Sequence, residues 1–109
     1  MTPEKTESPT ARNFHLGDIL SIVHGALVSP RHVEGLYDIL DFMEGRPHWT
    51  HQLPDAMRRC QPELLRQHPE LSAILDDEVN PANWESWLHA CVAKFGETLP
   101  VVAFRLGHR

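Results

Sequence analysis

The sequence predicts a mainly α protein: one small domain, a bundle of about three longer helices plus short Pro-bounded helices, and one short β-prone run. Three observations lead there. Apolar residues recur at i, i+3, i+4, i+7 spacing in three separate stretches. The six glycines stand singly, mostly where those stretches end. Pro47, Pro54, Pro62 and Pro69 cut the region between them into short pieces, because proline fits the first turn of a helix but not its interior.

Residues 1–13 (MTPEKTESPTARN) hold two prolines and two glutamates and no large apolar residue after Met1. Such a segment cannot bury enough surface to order itself and reads as a disordered tail, with a single helical domain over 14–109. The first helix covers about Leu16 to His24, with Leu16, Ile19, Leu20 and Val23 as its stripe and Gly25 as its stop. In the second, Ser29 is the N-cap, Pro30 the first helical residue and Gly45 the terminator. Val33, Leu36, Tyr37, Leu40 and Met43 form its buried side. Glu34, Asp38 and Asp41 share the opposite face, with Glu44 at its margin. Short helices are expected near 55–60, 62–67 and 70–75. The last long helix starts from Asn80 and Pro81 and runs to Gly96, with Trp84, Trp87, Leu88, Cys91, Val92 and Phe95 as a wide apolar face. After it, 99–104 is either a strand or an extended arm, and Ala26–Val28 is a conceivable partner for it.

Ten Lys plus Arg against fifteen Asp plus Glu give a net charge of −5. That is a poor endowment for a general nucleic-acid binder, whose affinity comes from cations meeting phosphates. Protonating all eight histidines would carry the net charge to +3, so electrostatic binding should vary with pH. Two cysteines, Cys60 and Cys91, are too few for a disulfide scaffold and point to reduced thiols in a cytoplasmic setting. No apolar run reaches the roughly 18–20 residues of a membrane helix, and the N-terminus lacks a signal-peptide core.

Motifs for chemistry are scarce. There is no phosphate-cradling glycine loop and no nucleophile elbow. His48 and His51 could join Cys60, His68, His89 or Cys91 in a metal site, but the spacing matches no known ligand pattern. Cys60 follows Arg58 and Arg59, which would favour a thiolate; no base for it can be picked out. No enzyme is predicted, and no cofactor. The stretch 67–93 carries five acidic residues and no Lys or Arg. Asp76, Asp77 and Glu78 form its densest run, flanked by Glu70 and Glu85. Carboxylates at helical spacing can imitate phosphates, so a basic protein surface is the natural partner. Trp49, in the loop Arg46–Leu53 (RPHWTHQL), is a candidate anchor, since tryptophan is enriched among interface hot spots.

Several segments also form a pattern together. They are Asn13–Ile22 (NFHLGDILSI), Leu27–His32 (LVSPRH), Gly35–Leu40 (GLYDIL), Thr50–Pro54 (THQLP), Cys60–Pro62 (CQP), Leu65–Pro69 (LRQHP) and Gly96–Val101 (GETLPV). The set resembles an uncharacterised family of short phage- and prophage-associated proteins with a domain of unknown function. The resemblance covers most of 13–102 and brings no catalytic motif. It implies a mobile-element protein made in a bacterial cytoplasm. In size, charge and lack of catalytic motif the chain is also similar, by type only, to anti-CRISPR inhibitors.

The expectation is therefore a non-enzymatic accessory protein that binds a host protein or ribonucleoprotein complex, contacting neither nucleic acid nor membrane directly. The partner-binding residues would be Glu34, Asp38, Asp41, Glu44, Trp49, Asp76, Asp77 and Glu78. Charge reversal at Asp38 and Asp41 should then weaken binding and spare the fold. The alternatives are a homo-oligomeric phage structural or regulatory protein (a homodimer in the simplest case), a small His/Cys metal-binding protein, and a nucleic-acid binder built on Arg31, Arg58, Arg59 and Arg66.

Overall fold

A computed structural model describes residues 11–103. The order is β1 (Ala11–His15), α1 (Leu16–Val23), α2 (Val33–Glu44), a 3-10 turn (Thr50–Gln52), α3 (Leu53–Gln67), a 3-10 helix (Pro69–Ile74), α4 (Trp84–Phe95) and β2 (Thr98–Val102). The mainly α architecture follows the sequence pattern.

All eight residues of α1 are buried, so this helix is the axis of the core. The stripe Leu16, Ile19, Leu20 and Val23 meets Leu36, Ile39, Leu40 and Met43 of α2 and Ala56, Cys60 and Leu64 of α3 in one apolar cluster. A helix buried on every side must also satisfy its polar groups. Ser21 does so by donating to the Gly17 carbonyl (2.8 Å) and accepting from the Val28 amide (2.9 Å). Asp18 does so through the junction described below.

β1 and β2 pair antiparallel, with Arg12 opposite Val101 and Phe14 opposite Leu99. Two expectations are corrected here. The segment 1–13 is not tail throughout, because Ala11–Asn13 already lie in β1; residues 1–10 fall outside the described chain. The partner of 98–102 is β1, not Ala26–Val28, whose Val28 goes into the core. A two-stranded ribbon is marginal by itself. This one is anchored by burial of Phe14 and Val101. Gln67 also clamps its outer edge, donating to the Val102 carbonyl (3.0 Å) and accepting from the Val102 amide (2.9 Å).

Between 53 and 67 the expected break at Pro62 does not occur, and α3 is continuous. The carbonyl that Pro62 deprives of a helical partner belongs to Arg58. Both residues are exposed, so water can take the missing bond. The piece expected at 70–75 is the 3-10 helix. The start of α2 also differs: it begins at Val33, after a turn in which His32 adopts φ 59°. Ser29 does not cap it, because its hydroxyl accepts the Arg31 amide (3.1 Å) in the turn ahead of the helix while donating to Asp18. No helix among the described residues is long and apolar enough to cross a membrane.

Candidate functional site

Two glycines inside helices mark where the chain is drawn tightest. A Cβ on Gly17 would strike the Val28 carbonyl and the Pro30 ring; one on Gly35 would strike Ser29 and Asp18. This close approach of α1, the 28–31 loop and α2 assembles the first polar cluster. Asp18 is buried and accepts from the Ser29 hydroxyl and from Arg31 (2.6 Å). Arg31 reaches on to Asp38 (3.1 Å), which also takes Arg12 of β1 (2.6 Å). Arg12 in turn lies over the Phe14 ring, 4.3 Å from its centroid. Burial works to raise the Asp38 carboxyl, but hydrogen bonds from Arg12 and Arg31 outweigh it and hold it below its ordinary value.

The second cluster closes the far end of α2. Glu44 is buried and accepts twice from Arg59 of α3, at 2.7 Å each. His48 is buried between two carboxylates, its Nε2 2.9 Å from Glu44 and its Nδ1 2.7 Å from Asp41. Burial alone would raise the Glu44 carboxyl; hydrogen bonds from Arg59 and His48 reverse that and lower it. The expected site residues Asp38, Asp41 and Glu44 are thus internal partners. Glu44 is not at an exposed margin, and charge reversal at Asp38 would break its contacts to Arg12 and Arg31. Of that α2 group, Glu34 alone is exposed without a Lys or Arg partner among the described residues.

The other expected contact residues lie at the surface. Trp49 is 73% exposed, and its turn is held by Gln52, whose side chain accepts from the Trp49 amide (2.8 Å). Asp76, Asp77 and Glu78 are all exposed. Asp77 is also structural: its carboxylate accepts from the Trp87 indole (2.8 Å), and its carbonyl accepts from His24 (2.7 Å).

A wider pattern emerges from the ion pairs. Every arginine among the described residues has a carboxylate partner: Arg12 and Arg31 as above, Arg46 and Arg59 on Glu44, Arg58 on Asp55, Arg66 on Glu63. The expected alternative patch of Arg31, Arg58, Arg59 and Arg66 is therefore neutralised in place. Glu34, Asp41, Glu70, Asp76, Asp77, Glu78, Glu85 and Glu97 have no Lys or Arg partner among the described residues; Asp41 is held by His48, and all but Glu34 and Asp41 fall between 70 and 97.

A groove of about 620 Å³ opens beside α4, lined by Trp84, Glu85, Ser86, Leu88, His89 and Val92 of that helix and by His15, Pro30 and Glu97 across from it. Trp84 and Trp87, read from sequence as core, are only half-buried. Leu88 and Cys91 hold the helix to the core. Sequence reasoning missed this groove, as well as Asp18 and Arg12, and it set Arg31 in a nucleic-acid patch where the fold sets it on Asp18 and Asp38. The glycines at 17 and 35, set inside helical stretches, were the available signal for the Asp18 junction.

Burial pushes the Cys60 thiol up to about 12, with the nearby Glu44 charge adding to it, and burial raises Cys91 as well. Thiolates are the reactive form. Among the described residues no group of three or more His, Cys, Asp and Glu side chains is placed to hold a metal. His48 has both nitrogens on carboxylates, while His51 stands exposed.

The fold and site thus define a small helical protein, closed by a strand ribbon, with its described arginines paired internally and the acids of 70–97 exposed without a Lys or Arg partner among the described residues. Residues 14–74, more than half of the chain, match the family described as a domain of unknown function, DUF7736, and the chain belongs to that family. The matched segment runs from β1 through the 3-10 helix. No curated protein and no solved structure matches the chain.

Proposed function

We propose that this chain is a non-enzymatic binding protein that docks stoichiometrically on a basic surface of another protein. The supporting observation is the sorting of charge: the described arginines are all held by carboxylates, and the acids of 70–97 form no ion pair with Lys or Arg among the described residues. Such a surface repels phosphate backbones and attracts the sites that bind them, raising association rates and selecting partners. In the mobile-element setting that the sequence resembles, the reading becomes an anti-CRISPR-like inhibitor in a bacterial cytoplasm, occupying the nucleic-acid-binding face of a host defence complex.

The test is capture from a bacterial lysate with the wild-type chain and with Asp76→Lys/Glu78→Lys/Glu85→Lys, substitutions at exposed positions outside the internal ion pairs. A nucleoprotein complex held by the wild type and released by the triple variant is the expected result. Equal capture by both would remove the acidic surface from the account. Trp49 favours a second reading, the homo-oligomer, because so exposed an indole on a pinned turn suits an interface between copies. Mass in solution across a concentration series separates the two, and a dimer broken by Trp49→Ala would favour the second.

A further inference from the structure

The groove beside α4 joins an apolar wall to two carboxylates. Its helical wall is apolar in a regular way: Trp84, Leu88 and Val92 stand at i, i+4 and i+8, a ridge of roughly 12 Å along one side of α4. Its acidic groups are Glu85, on the same helix, and Glu97, at the start of the return to β2. Among the described residues no Lys or Arg lines it. Two imidazoles complete the lining: His89 on α4, and His15, whose Nδ1 accepts the Gly17 amide at 2.9 Å. At about 620 Å³ the space lies within the range of ligand-binding clefts. Beyond Trp84 the surface continues into a second hollow of about 290 Å³, bounded by Ala26, Leu27, Val79 and Pro81. Leu27 there is 49% exposed.

We propose that this groove receives an apolar segment of a partner protein that carries lysine or arginine, with Trp84 and Val92 meeting its apolar side chains over a floor at Leu88, and Glu85 and Glu97 meeting its cations. The proposal rests on the acidic-docking reading above and assigns it a seat. An amphipathic helix supplies apolar anchors at the spacing of the ridge. The Trp84 ring is also a surface over which a guanidinium or ammonium is attracted. Nucleic acid and acidic peptides are disfavoured by the two carboxylates. A second copy of this chain is disfavoured for the same reason, because a two-fold contact would set each copy's acids against the other's.

The probe is a synthetic amphipathic helix of leucine and lysine, compared with a leucine–glutamate version and a lysine–serine version of equal charge. Affinity is read by calorimetry and position by the three indole N–H signals in NMR. The leucine–lysine peptide should bind, move the Trp84 signal and leave Trp49 unmoved. Glu85→Lys/Glu97→Lys, both at exposed positions, should weaken it at least tenfold, and Asp76→Lys/Glu78→Lys should change it less than twofold. The lysine–serine peptide should bind at least tenfold more weakly, and the leucine–glutamate peptide should not bind. Binding that moves Trp49 instead, or that is lost with Asp76→Lys/Glu78→Lys, would overturn the groove and leave the acidic reading standing. No binding by the leucine–lysine peptide would overturn the groove as well, while the lysate capture decides the broader reading separately. A chain ending at Ala103 gives one more check. If it binds far more tightly than the full chain, the groove's occupant is the chain's own Phe104–Arg109, which carries two arginines and two large apolar residues, and the partner assignment fails.

Discussion

Glu44→Ala tests whether the end of α2 is built on a buried carboxylate. The Glu44 side chain is 3% exposed, and it holds Arg59 through two contacts of 2.7 Å and His48 through one of 2.9 Å. Removing one member of a fully buried ion pair costs about 3–5 kcal/mol. That figure must be discounted, because the Arg59 and Arg46 side chains are each 47% exposed and rehydrate when released. Half-exposed pairs contribute about 0–1 kcal/mol each. His48 is different: its side chain is 0% exposed, and a lost bond to a charged group leaves a penalty of about 1.5–3 kcal/mol. The expected destabilisation is therefore about 2–4 kcal/mol, a fall in melting temperature on the order of 10 °C or more for a domain of this size. Urea unfolding followed by far-UV circular dichroism measures it. Arg59→Ala and the double variant complete a thermodynamic cycle, in which the double should lose less than the sum of the singles. Glu78→Ala, at the surface, should stay within about 0.5 kcal/mol of wild type. A loss below about 1 kcal/mol for Glu44→Ala, or strict additivity with Arg59→Ala, would refute the reasoning.

The same structure sets three further expectations. Asp38, Glu44 and Glu63 are all held below their ordinary values by arginine partners that outweigh burial, Glu63 chiefly by its hydrogen bonds from Arg66; their stabilisation is complete above the unfolded carboxylate range of about pH 4 and is lost as pH falls through the lower folded values. Urea midpoints should thus be level near neutrality and drop below about pH 4, and an unchanged midpoint at about pH 3 would contradict those pairings. Both thiols should resist a disulfide reagent at about pH 8 in the folded chain and react together on unfolding, because burial raises Cys60 and Cys91; prompt native-state reaction of Cys60 would show that it is not enclosed. Gly35→Ala, whose added carbon meets Ser29 and Asp18, should cost about 1–3 kcal/mol by overpacking, whereas Gly45→Ala meets nothing and should cost about 1–2 kcal/mol through its φ of 71° alone; thermal unfolding of the two variants, with a temperature-independent fold check, shows whether the Asp18 junction is as tight as described.

Local signals located the helices, and they failed where the deciding partner lay far away in sequence. Leu16–Val23, Val33–Glu44 and Trp84–Phe95 were legible because apolar spacing and terminal glycines are properties of the segment itself. The strand Ala11–His15 was not, because its partner lies at the other end of the chain and nothing in RNFH alone announces a pairing. Glu44 looked like a surface acid on α2 for the same reason: its partner Arg59 is on another helix, and His48 reaches it only after the chain turns at Gly45. Pro62 misled in the opposite direction. Its local rule is sound, but an exposed helix face supplies water to the orphaned carbonyl. As for the candidate site, Trp49 and the run Asp76–Glu78 were found at the surface by composition alone. The groove was not found, since it needs β1, the Pro30 loop and α4 to meet.

The distribution of charge explains why the α2 acids and the 70–97 acids serve different ends, although the sequence writes them alike. Arginine is strongly drawn to carboxylates in planar, two-point contact, and the folded chain brings Asp18, Asp38, Glu44, Asp55 and Glu63 within reach of the described arginines. The pairs on Asp18, Asp38 and Glu44 tie α1, α2, α3 and β1 together, those on Asp55 and Glu63 lie within α3, and all of them cancel the field that either sign would otherwise project. A net charge of −5 cannot be cancelled in this way. Its excess must appear where the chain has acids and no arginine, and the segment from Arg66 to Lys94 is such a place. The surface that remains electrically visible to a partner is consequently the one beside α4, where the apolar groove also opens.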